Sequence, residues 1–178
     1  MKWRNLLPPF YFNTMDKLWS PWRSKYIESI HIKDGGCVFC NMSEDTIENP
    51  KSLIIDKGSN TFTVLNLFPY NNGHLMIVPY KHTSELEALS QSENIEIMDK
   101  LQLALKALKL VYNPEGFNIG ANLGKVSGAG IDEHIHFHIV PRWNGDTNFM
   151  PVLGEVKVIS QDLLVTKEKL IEAYRTLI

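Results

Sequence analysis

Three of the six histidines of this 178-residue chain fall in one short segment, HIHFHIV, as His134, His136 and His138. Alternation with Ile135, Phe137 and Ile139 predicts a strand from His134 to Val140. A strand rises about 3.3 Å per residue and alternates faces, so the three imidazoles should line one surface at roughly 6.6 Å intervals while the apolar trio faces the core. Two chemistries suit such a row. Neutral imidazoles could ligate a metal directly. Alternatively, one ring could act as nucleophile or general base while its neighbours orient a charged substrate and protonate a leaving group. The preceding loop bears on the choice. Asn122, Gly124, Ser127, Gly128, Ala129 and Gly130 carry little bulk, so backbone N–H groups can approach an anion, with Lys125 and the Asn122 and Ser127 side chains as further donors. It is not a Walker loop, because Val126 follows Lys125, nor a dinucleotide fingerprint, because the third glycine is absent and a strand follows. Cys37 and Cys40 stand as C-x-x-C, where a disulfide would close a trivial loop; the pair points to metal or redox chemistry and a cytoplasmic location.

The elements that must carry these groups are partly readable. Ser90 followed by Glu93 has capping-box spacing, and Met98, Leu101, Leu105, Leu108 and Tyr112 recur every three or four residues up to Pro114, which predicts one long helix with one buried face. Thr61–Phe68 and His74–Val78 read as a hairpin around PYNNG, Phe117–Leu123 as another strand, GKVSGAG as a flexible loop, and Thr166–Leu177 as a closing amphipathic helix. Strands on both sides of one long helix imply an α+β fold with a mainly antiparallel sheet. Residues 1–14 read as an N-terminal arm or an upstream start, and residues 15–178 as a single domain. His31 and His74 are expected at the surface or in turns. Eighteen Lys and Arg against twenty Asp and Glu give a net charge of -2, which disfavours binding to a nucleic-acid polymer. Hydrophobic residues at 44% and charged residues at 21% suit a folded domain rather than a disordered chain. The longest uncharged run, from Gly58 to Tyr80, is interrupted by Asn, Pro and Gly, so no membrane segment is expected, and Pro8 and Pro9 break the N-terminal apolar run, so no leader is expected.

HIHFHIV, together with CVFCNM, FTVLNLFPYNNGHLMIVPYKH, GFNIGANLGKVSGAG and PRWNGDTNF, resembles the histidine triad (HIT) family of nucleotide hydrolases and transferases, in particular its bacterial diadenosine tetraphosphate phosphorylase-like branch. The resemblance implies a HIT-like fold and a small-molecule nucleotide substrate cleaved at its α-phosphate. His136 would be the nucleophile, forming a nucleotidyl-imidazole intermediate that passes to water or phosphate. His138 would donate a hydrogen bond beside the phosphate, Asn122 and residues Ser127, Gly128, Ala129 and Gly130 would stabilise charge on its oxygens, and Asn66 would hold the ribose. Val38, Phe39, Met42, Val64 and Leu67 would form the base slot, although all five are also ordinary core types. Cys37, Cys40, His82 and His134 would bind structural zinc as a closed set of four ligands. Family members usually form homodimers, to which Trp19, Trp22 and Trp143 could contribute apolar surface, although for each a place in the core is the favoured reading. Two other readings stay open at this point: a metal-dependent hydrolase or oxygenase with all three strand histidines as ligands, with or without Glu133 or Asp132, and a non-catalytic nucleotide sensor.

Overall fold

The computed structural model describes residues 36–146 and 161–178, so the expectations for residues 1–14, Trp19, Trp22 and His31 lie outside the described residues. Five strands form one antiparallel sheet in the order β1-β2-β3-β5-β4: β1 is Ile54–Lys57, β2 Thr61–Leu65, β3 Leu75–Pro79, β4 Gly116–Gly120 and β5 Phe137–Arg142. A short helix α1, Val38–Ser43, precedes the sheet; α2, Gln91–Tyr112, lies between β3 and β4; α3, Leu163–Leu177, ends the chain. No described helix is long and apolar enough to cross a membrane.

The capping box forms as its spacing predicts: Ser90 Oγ accepts from Glu93 N, and the Glu93 carboxylate accepts from Ser90 N. At the other end Asn113 adopts the left-handed conformation ahead of Pro114. The buried stripe of α2 is Ile97, Leu101, Ala104, Ala107 and Leu108, with Leu105 and Tyr112 packed at its edge. Met98, expected in that stripe, is 56% exposed, because the small Ala104 and Ala107 shift the stripe that meets the sheet toward Ile97. The final helix begins at Leu163, three residues before the expected start, because Asp162 caps it by accepting from the N–H groups of Leu164 and Val165. The strand after α2 is shorter than expected, ending at Gly120, and Lys125–Ser127 form a single 3-10 turn.

Both faces of the central strands are covered. Leu65, Leu75, Ile77 and Ile139 face α2 and α3, where they pack with Leu101, Leu108, Leu170 and Tyr174. Phe62, Val64, Met76 and Val78 face the other way and pack with Phe39 and Ile131. The register pairs Met76 with His138, so the last histidine lies on this second face, away from the long helix.

Candidate functional site

The expected histidine strand is only half a strand. Pairing of Ile77 with Phe137 would put Ile135 opposite Pro79, and Pro79 has no N–H to offer a ladder. Instead Ile135 N donates to Thr83 O at 2.7 Å, and the Pro79 carbonyl takes the His134 side chain, Nε2 to O 2.9 Å. His134 and His136 therefore sit on an irregular entry to β5. They do not line an open surface: both are buried, at 1% and 5% exposure.

The His134 contact fixes its chemistry. With Nε2–H donated to a carbonyl, neutral His134 presents the Nδ1 lone pair, and this atom lies 3.3 Å from Cys37 Sγ and 3.6 Å from Cys40 Sγ. His82 Nδ1 lies 3.3 Å from Cys40 Sγ. All four donor atoms fall within 4.8 Å of one another. Tetrahedral zinc with bonds of about 2.0–2.3 Å has ligand-to-ligand edges of roughly 3.3–3.8 Å, so the donor set and its spacing fit that ion. Cys37 lies at the start of α1, Cys40 in its first turn, His82 beyond β3 and His134 before β5; these four thus join three separate segments. Burial pushes the Cys37 thiol up, against the lowering effect of the Cys40 and Phe39 backbone N–H groups, and the Cys40 side chain adds to the rise.

His136 turns toward a cleft lined by Phe39, Met76, Asn122, Gly128, Ile131 and His138, among others. Its Nδ1 lies 2.8 Å from His134 O and donates to it, which leaves the lone pair on Nε2. Burial pulls the imidazole's pKa below its ordinary value, outweighing the opposing effect of that hydrogen bond, so the ring stays neutral and nucleophilic at pH 7. The rings of His136 and His138 meet edge to face with centroids 4.8 Å apart.

His74, expected at the surface or in a turn, closes the turn that starts at Asn71 but does not reach the surface. It is fully buried, its Nδ1 accepts from Tyr70 N at 3.0 Å, and its Nε2 lies 3.0 Å from His138 Nδ1. The backbone donor assigns the protons in order: Tyr70 N–H to His74 Nδ1, His74 Nε2–H to His138 Nδ1, and hence a proton on His138 Nε2 when that ring is neutral. Gly73 makes the approach possible, with φ at +74°, where a Cβ would come within 2.8 Å of Leu108 Cδ2. The parity of HLMIV carried the missed signal: His74, Met76 and Val78 alternate onto the same face as His138.

The other expected site residues divide. Phe39, Asn66, Asn122, Gly128 and Gly130 line the cleft, with Phe68 and Tyr70 as lining residues not singled out from the sequence. The Phe39 ring packs on His136 at 4.7 Å. Asn66 uses its side-chain oxygen to accept from Phe68 N, and its amide nitrogen lies 3.4 Å from His74 Nδ1. Ser127 Oγ donates to Gly124 O within the loop's own turn, and neither Ser127 nor Ala129 is among the lining residues. Val38 and Met42 pack at the margin of the second core cluster, Val64 is fully buried within it, and Leu67 is 52% exposed. The three triad rings do not converge on a common point. His134 has both ring nitrogens engaged, Nδ1 with the cysteines and Nε2 with Pro79 O, and among the described residues the metal-capable group is Cys37, Cys40, His82 and His134.

The HIT domain family model matches residues 46–145. The chain is 40% identical over 161 residues to an AP-4-A phosphorylase of Mycobacterium tuberculosis, covering 88% of this chain and 83% of that one. Among solved structures it resembles a Zn-bound histidine triad family protein from Mycobacterium smegmatis, with a TM-score of 0.64 and 26% identity over 80% of this chain and 95% of that one. A uridylyltransferase mutant shares the fold at a TM-score of 0.67 and 16% identity, covering 89% of this chain and 54% of the other.

Proposed function

The chain belongs to the HIT domain family, whose model spans more than half of it, and from that premise we propose that it transfers a nucleotidyl group from a dinucleoside polyphosphate or related adenine nucleotide through His136. The carrying observation is the His136 tautomer: Nδ1–H is held by His134 O, so the Nε2 lone pair belongs to a ring that lines the cleft with Asn122, Gly128 and Gly130. In the first step Nε2 attacks the α-phosphorus; the P–N bond forms and the bond from phosphorus to the leaving oxygen breaks. The His138 Nε2–H donates a hydrogen bond to that oxygen, which leaves as the polyphosphate anion. In the second step water or inorganic phosphate attacks the same phosphorus and loses its proton to solvent, and the P–N bond breaks to restore neutral His136, releasing a nucleoside monophosphate or diphosphate respectively. The backbone at Gly128 and Gly130 and the Asn122 side chain offer donors to the phosphoryl oxygens without bulk positive charge. Asn66 serves the ribose, and the apolar wall of Phe39, Met76 and Ile131 serves the base.

Cys37, Cys40, His82 and His134 would hold zinc in this reading, supported by their donor spacing and by the Zn-bound relative. Such a closed site has no position left for water, so zinc supplies structure rather than a reacting group. Its work would be to fix His134, whose carbonyl sets the His136 tautomer. A reducing, cytoplasmic compartment would keep both thiols as ligands. Pairing with a second copy would use the outer edge of the sheet at β4, where Asn118, Ile119 and Gly120 are exposed.

The test is incubation with diadenosine tetraphosphate, with and without phosphate, followed by product identification and intact-mass measurement. An adenylyl adduct on the wild type that is absent from His136→Asn is the expected result; ADP formed only with phosphate identifies phosphorolysis. Turnover by His136→Asn at the wild-type rate excludes the covalent route.

A further inference from the structure

The cleft that holds His136 carries no Lys, Arg, Asp or Glu among its described lining residues, yet a dinucleoside polyphosphate brings further negative charge beyond its α-phosphate. Asn122 and Gly128 both line that cleft, and Lys125 stands midway between them in the chain, at the start of the 3-10 turn Lys125–Ser127. It is the one Lys or Arg in residues 121–136, where Asp132 and Glu133 are the acidic residues. Ser127 has little left to offer an anion, since it donates both its hydroxyl and its N–H to Gly124 O, at 2.7 and 3.3 Å.

The Lys125 side chain is 84% exposed and Val126 beside it is fully exposed, so this turn projects into solvent. The Lys125 ammonium reaches back along the loop to Asp132, with Nζ 3.8 Å from Oδ2, a separation too long for a hydrogen bond. Asp132 directly follows Ile131, which lines the cleft, so the ammonium lies at the lip between the two arms of the loop. A loose pair between solvated groups costs little to part. The flexible four-carbon stem then lets Nζ turn from Asp132 to an anion in the cleft mouth.

We propose that Lys125 forms an anion subsite just beyond the scissile bond, which holds the β-phosphate of a polyphosphate donor in the first step and inorganic phosphate in the second. The subsite rests on the transfer through His136 proposed above. Each step is an in-line displacement, so the leaving group and the acceptor both lie on the side of phosphorus opposite Nε2, and one cation meets both. In the second step a phosphate oxygen forms the new P–O bond, the P–N electron pair returns to Nε2, and the acceptor's proton goes to solvent. Water, being uncharged, gains nothing from the ammonium. Lys125 therefore sets the choice between phosphorolysis and hydrolysis.

The 4-nitrophenyl ester of adenosine 5′-monophosphate tests this, because its leaving group carries no phosphate and it loads His136 without the subsite. With this donor and a fixed concentration of inorganic phosphate, Lys125→Ala should lower the ratio of ADP to AMP formed by about 10-fold, the size of one lost hydrogen bond to a charged group. Ester consumption in the absence of phosphate should change by no more than about threefold. Lys125→Arg should restore most of the ratio. With diadenosine tetraphosphate as donor, Lys125→Ala should lower kcat/KM by a similar factor. The product ratio divides one intermediate between two acceptors, so a partly misfolded sample does not move it. A ratio equal in wild type and Lys125→Ala, including no ADP from either, overturns the subsite, and so does equal slowing of both donors. Failure of the transfer reading is distinct, since it appears as ester turnover or adduct formation persisting in His136→Asn.

Discussion

The two faces of the same sheet differ in what covers them. On one, Leu75, Ile77 and Ile139 meet two helices, whose side chains pack with the strands in one buried cluster. On the other, Met76 and His138 meet α1 and the irregular segments around residues 66–74 and 121–135, which bring backbone donors and glycines and leave open the cleft of the site. A helix has its own N–H groups bonded internally; a loop has N–H groups to aim elsewhere. The period-2 alternation of β5 therefore sends Ile139 into a packed interior and His138 into a reaction space, one residue apart.

If the faces divide the labour in this way, substitutions should separate chemistry from stability. The largest effect is expected on the cleft side: His136→Asn should lower turnover of diadenosine tetraphosphate by at least ~10³-fold, as for loss of a nucleophile, while thermal unfolding shifts by only a few degrees. Next comes the proposed zinc cluster. Metal analysis of protein purified without chelator should give one zinc per chain, and a strong chelator should lower Tm by more than ~10 °C, because a metal that clips distant segments adds its binding free energy to folding. A chain containing no zinc and indifferent to chelator would remove the metal from the account and leave the thiols as core groups. On the helix side, Leu108→Ala should cost about 2–5 kcal/mol in denaturant unfolding, with turnover per folded molecule unchanged. Should Leu108→Ala instead impair kcat in fully folded protein, the division between the faces would fail, and the contact of Leu108 with the Gly73 turn beneath His74 would be the place to look.

How far the sequence discloses this division depends on the range of the interactions. The capping box, the triad and the C-x-x-C pair are local patterns, and each sits where its residue types require. The strand that forms is shorter than the alternation predicts, because the early end of pairing comes from Pro79 on another strand, which HIHFHIV alone does not reveal. For His74 the turn that it closes is legible, whereas its burial follows from the alternation after that turn. Strand β1 and helix α1 gave no expectation at all: IIDK is short and shifts register between Ile54 and Asp56, and VFCNMS is less than two turns, so neither has room to establish a period. Ser127 shows the opposite failure, a residue of the right type whose hydroxyl the local turn has already used.

The smallest expected effect sharpens the comparison from the helix side, because it concerns a polar group there. The Glu96 carboxylate, on α2, accepts from Asn60 N and Nδ2 at 3.0 and 2.8 Å and from Thr61 N and Oγ1 at 2.9 and 2.8 Å, latching the β1–β2 turn to the helix. Gly58 leaves room for it, since a Cβ there would lie 2.2 Å from Glu96 Oε1. Burial pushes this carboxyl's pKa up, but the four donors outweigh burial and hold it below the ordinary value. A depressed carboxylate contributes stability that is fully present above its unfolded pKa of about 4.3 and is lost as pH falls through the folded value. Glu96→Gln should therefore cost about 1–2 kcal/mol at pH 7, and the difference from wild type should shrink when urea unfolding is repeated below pH 4. Turnover at pH 7 should not change, because none of these bonds reaches the cleft. A pH-independent difference would mean that shape rather than charge holds the turn, and a loss of turnover would mean that the helix side governs the histidine side through β2.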